Sequence, residues 1–104
     1  MIRAVFRRSR DGLCGVEVSG HAGYADAGQD IVCASVTSAV QLTLNGITEV
    51  LRAPAEVAVQ QNRITLRLSE QNPAAARFLE ALYLHLELLA QEYTDNLQLT
   101  ILEV

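Results

Sequence analysis

The segment Gly20-His21-Ala22-Gly23-Tyr24-Ala25-Asp26-Ala27-Gly28-Gln29-Asp30-Ile31-Val32-Cys33-Ala34-Ser35-Val36-Thr37-Ser38 changes the period of the chain. Before it, apolar residues alternate as in a strand; after it, they occupy every side of a helix. Gly23 and Gly28 permit backbone angles closed to other residues, so the loop from His21 to Gln29 is expected to be mobile. Asp30 is a suitable N-cap, its side chain accepting from the N–H of Val32 or Cys33, which places Ile31, Val32 and Cys33 in the first helical turn.

On the N-terminal side, Ile2, Ala4 and Phe6 alternate with Arg3, Val5 and Arg7. Past the turn Arg10-Asp11-Gly12, Cys14, Val16 and Val18 alternate with Gly15, Glu17 and Ser19, which together read as a hairpin. On this pattern Cys14 shares the face of Val16 and Val18 as a small buried hydrophobe.

On the C-terminal side, the helix is expected from Ile31 to about Leu51, largely buried, and ended by Ala53-Pro54. Ala55, Val57 and Val59, then Ile64, Leu66 and Leu68 across Gln61-Asn62, give a second hairpin. Asn72-Pro73 caps a second helix whose stripe is Phe78, Leu82, His85, Leu86, Leu89 and Tyr93, with Leu79, Leu84 and Leu88 widening it. His85 on that stripe reads as a core or interface histidine. Leu97, Leu99 and Ile101 form a closing strand. The order ββαββαβ predicts a single α+β domain over residues 1–104, a mixed sheet packed by two helices on one or two faces. Surplus apolar surface on the helices points to a homodimer.

The chain has 104 residues, half of them apolar, enough for one core. The expected location is the cytoplasm, with no membrane partner, since the N-terminus lacks the order of a signal peptide and no run is expected to span a bilayer. Cys14 and Cys33 are both expected to be free thiols. Two histidines and two cysteines without close spacing predict no metal site, and no other cofactor is expected. A net charge of −4 argues against direct nucleic-acid binding. All eight basic residues are arginine, and Arg3, Arg7, Arg8 and Arg10 read as solvated strand positions that also discourage edge pairing.

A thiol attacks as thiolate, and a helix start favours negative sulfur through unpaired N–H groups and the dipole. Cys33 stands there, and His21, twelve residues earlier, is placed to act as its base or ion-pair partner if the loop folds back over the helix. The same N–H groups would stabilise an oxyanion. Asp30 opposes the anion through its charge, so its role is to hold the backbone. Spacing alone leaves a purely structural His21 and Cys33 open. Ser35, Thr37 and Ser38 on the next turn ordinarily bond a preceding carbonyl; Thr37, one turn after Cys33, is a candidate substrate contact.

Gly20-His21-Ala22, a short glycine loop and Gly28-Gln29-Asp30-Ile31-Val32-Cys33-Ala34, with Asn45 beyond, resemble the signature of the ribosomal-processing cysteine protease (Prp) family, also called YsxB-like. The resemblance implies a cytoplasmic, homodimeric bacterial endopeptidase that removes the N-terminal leader of large-subunit ribosomal protein twenty-seven during ribosome assembly. By position, His21 matches the catalytic histidine, Cys33 the nucleophile and Asp30 the acidic residue before the helix, while Gly20, Gly23, Gly28 and Thr37 fall to supporting or substrate-binding roles. The chain departs from the pattern at Ser35, Thr37 and Ala27, where alanine, serine and a bulkier residue are commoner. The alternatives to peptide hydrolysis are a non-catalytic ribosome-assembly adaptor that binds a ribosomal protein peptide, and a thiol hydrolase of small esters.

Overall fold

The structure, a computed structural model, describes residues 1–26 and 30–104. Five strands, β1 (Ile2–Ser9), β2 (Gly12–Ser19), β3 (Ala55–Gln60), β4 (Arg63–Leu68) and β5 (Leu97–Glu103), form one sheet in the order β3-β4-β2-β1-β5. Only β1 and β5 run parallel; the other neighbours are antiparallel, so the sheet is mixed. Helices α1 (Ile31–Asn45) and α2 (Pro73–Glu92) complete the ββαββαβ order. The α+β expectation therefore holds.

One face of the sheet carries the core. Ile2, Ala4 and Phe6 of β1, Val16 of β2 and Leu66 of β4 are buried against Val32, Val36, Val40 and Leu44 of α1 and Leu79, Leu82 and Leu86 of α2. Phe6 is fully enclosed and meets the Tyr83 ring edge-on at 5.1 Å, an arrangement that adds roughly 0.5–1.5 kcal/mol to its burial. The opposite face is polar: Arg63 pairs with Glu17 across the sheet at 3.8 Å, and Thr65 also donates to Glu17.

The β1–β2 hairpin departs from simple alternation. Arg7 faces Gly15 but Arg8 faces Leu13, so Cys14 is the extra residue of a bulge. Parity flips there: Leu13 is buried, and Cys14 is only half-buried, its thiol donating to the Arg7 carbonyl at 3.5 Å. The expected burial of Cys14 beside Val16 is thus corrected.

Helix α1 continues as a π turn over Gly46–Val50, closed by Leu51 N–H to Gly46 C=O. A side chain at Gly46 would overlap the Phe78 ring at 2.5 Å, so this glycine lets the π turn pack closely on α2. Together, Ile31–Val50 are long and apolar enough by length and composition to cross a membrane, which corrects the expectation that no run is able to span a bilayer. In the fold, Val32, Val36, Val40 and Ile47 of this run are spent on the core. Along α2, Leu79 lies in the core, whereas His85, Leu84 and Leu88 are exposed; of the core or interface reading of His85, the core half is corrected because Leu82 and Leu86 take the inward positions.

Candidate active site

The site forms where β2 hands the chain to α1. Asp30, in extended backbone, caps α1: its Oδ1 accepts the N–H groups of Val32 and Cys33, each at 3.0 Å. Its Oδ2 accepts from Tyr24 at 3.1 Å and Ala25 at 3.4 Å. One carboxylate therefore ties the 24–25 segment of the loop to the helix start. The Cys33 N–H foremost, then those of Tyr24, Ala25 and Val32, hold the carboxyl below the usual range against a desolvation that pushes it up.

This arrangement corrects one expectation. The N–H groups of Val32 and Cys33 are taken by the Asp30 side chain and that of Ala34 by the Asp30 carbonyl at 3.1 Å, so they are not free to receive an oxyanion. The donor aimed at the sulfur comes from the loop instead: the Ala22 N–H meets Cys33 Sγ at 3.2 Å. An N–H so placed fixes the orientation of the sulfur against the loop.

Cys33 is half-buried and His21 exposed, and both line an open groove of about 990 Å³ with Gly23, Asp30, Thr37 and Asn45. The described residues show no hydrogen bond between the His21 ring and Sγ. Thr37 is exposed, one turn after Cys33 on the groove wall. Gly20 and Gly23 both have positive φ, +89° and +70°; the first is where the chain leaves β2, the second lies in the loop. Gly28 lies outside the described residues.

The β3–β4 turn, which carries no local motif for it, also borders the site. Val59, Asn62 and Arg63, at the β3–β4 turn, line a second hollow that also contains His21 and Cys33. The Gly20 N–H donates to the Asn62 carbonyl at 3.0 Å, anchoring the turn beside the loop.

A family model described as "Cysteine protease Prp" matches residues 1–98. The chain is 32% identical to the ribosomal processing cysteine protease Prp of Bacillus subtilis (strain 168) over 96% of both sequences. The chain belongs to the cysteine protease Prp family. Among solved structures, the S. aureus protease Prp in complex with a covalently linked product peptide superposes with a TM-score of 0.92, 22% identity, and coverage of 98% of this chain and 100% of that one. A Streptococcus mutans protein gives 0.86 at 25% identity, covering 100% and 96%. At these identities the Staphylococcus match speaks for the fold, and membership of the cysteine protease Prp family makes this chain a cysteine protease.

The Asp30 network has a pH signature. A carboxyl held low in the folded state contributes stability that is present above its ordinary value of 3.8 and is lost as pH falls through the folded value. Melting temperatures taken across that acidic window should fall more steeply for the parent than for Asp30→Asn. Parallel slopes would show that the carboxylate does not hold the loop and helix together.

Proposed function

We propose that this protease cleaves the N-terminal leader from large-subunit ribosomal protein twenty-seven, with Cys33 as nucleophile and His21 as its proton partner. The observation that carries the dyad is the Ala22 N–H seated on Cys33 Sγ while His21 opens onto the same groove. Support for a ribosomal substrate is the kinship with the B. subtilis relative named for ribosomal processing.

In this mechanism Sγ adds to the scissile carbonyl as its proton passes to His21. The tetrahedral intermediate collapses to a thioester, and the departing amine takes the proton from His21. Water, deprotonated by the same ring, adds to the thioester and releases the thiol. Closure of His21 onto sulfur accompanies substrate binding, since catalytic hydrogen bonds tighten in the bound complex. The reading also carries a cytoplasmic site of action and a homodimer, for which exposed Leu42, Leu84 and Leu88 on the two helices supply apolar surface.

Incubation with leader-bearing ribosomal peptides, followed by mass spectrometry, is expected to give two fragments from one cut per peptide. Intact peptides alongside hydrolysis of small thiol-reactive esters would overturn the substrate assignment.

A further inference from the structure

The corner between α2 and β5 reaches the site from the far end of the sequence. Asn96 Nδ2 donates to the Ala22 carbonyl at 2.9 Å, a contact spanning 74 positions. Because the partner is a carbonyl oxygen, only the amide nitrogen of Asn96 satisfies it. The Asn96 backbone is itself fixed on both sides: its carbonyl accepts the Ile2 N–H at 2.9 Å, and its N–H donates to the Tyr93 carbonyl at 3.0 Å. Tyr93 makes a second contact with the same loop, edge-on to Tyr24 at 5.5 Å.

Ala22 is 2% exposed, so neither its N–H nor its carbonyl has water to fall back on. The carbonyl goes to Asn96 and the N–H to Cys33 Sγ. Ala22 therefore acts as a short rigid bridge between an amide anchored to sheet and helix and the sulfur.

We propose that Asn96 is a positioning residue for the nucleophile, holding Ala22 so that its N–H stays on Cys33 Sγ and His21 stays on the groove rim. The proposal rests on the reading of Cys33 as the reactive thiol, but it concerns what keeps the sulfur oriented. Side-chain geometry carries it: remove the donor and the Ala22 peptide is free to rotate away.

The test uses Asn96→Asp, which keeps the shape but only accepts, and Asn96→Leu, which keeps the bulk without charge. Iodoacetamide labelling of Cys33 at pH 7 is expected to slow about tenfold in both, the size of one lost hydrogen bond, while Cys14 in the same molecules labels at the parental rate. On a cleaved peptide, kcat should fall with KM within about twofold of the parent, because the interaction lost bears on the reacting atom. Cys33 labelling at the parental rate in both folded variants would overturn the proposal. If neither variant folds, nuclear magnetic resonance of the parent decides: alkylating Cys33 should shift both the Ala22 amide and the Asn96 side-chain amide signals, and an unmoved Asn96 signal would refute it. Labelling needs no substrate, so failure here is distinguishable from failure of the peptidase reading, which peptide cleavage reports.

Discussion

A Cys33→Ala variant is expected to fold as the parent does and to lose peptide cleavage by on the order of 10³-fold or more. The side chain is half-buried at the edge of the core, so removing one sulfur leaves a small space beside Val32 and Val36 rather than a central cavity. The Asp30 cap does not depend on the thiol, because it binds backbone N–H groups. Stability should therefore change little while chemistry stops. Processing of the same peptide by Cys33→Ala at a rate within tenfold of the parent would exclude Cys33 as nucleophile, and Cys14→Ala serves as the comparison that should retain full activity.

Gly20→Ala is expected to damage fold and site together. With φ at +89°, an alanine there carries about 1–3 kcal/mol of backbone strain. Its Cβ would also collide with the Met1 carbonyl oxygen, a backbone atom with no rotamer to escape into. For a domain of this size each kcal/mol lowers the melting temperature by roughly 4–8 °C. A drop of at least that size, with slower Cys33 labelling because His21 and Ala22 follow directly, is the expected result. A variant that melts within a degree or two of the parent would show that this backbone relaxes freely.

The strands and helices were legible because each carries a local signal. Asn72 and Asp30 cap their helices as their side chains predict, and the alternation of Ile2, Ala4 and Phe6 marks the buried face. Simple alternation misplaces Cys14 because a bulge shifts parity by one residue, and the local sign of that bulge is Gly15, a glycine inside the strand. The wide apolar stripe of α2 could not show which of Leu79, Leu84 and His85 turns inward, since that depends on how α1 and the π turn at Gly46 pack against it.

The candidate site was half legible. His21, Asp30 and Cys33 lie within one loop and one helical turn, so their spacing in the sequence allowed them to share a site. The second carboxylate oxygen of Asp30, bonded to Tyr24 and Ala25, required the loop to fold back, which spacing permits but does not impose. Asn96, Arg63 and Val59 could not be found locally, because only the strand order β3-β4-β2-β1-β5 and the parallel β1–β5 pairing bring them to the end of β2.

The central claim is covalent chemistry at Cys33. Its most direct measurement is rapid acid quenching of the enzyme during turnover of a leader peptide, followed by intact and peptide-level mass spectrometry. The account predicts a transient adduct with the mass of the N-terminal leader fragment less water, mapped as a thioester to Cys33 and absent from Cys33→Ala. Steady cleavage with no adduct at any time, or an adduct on Cys14, would contradict it.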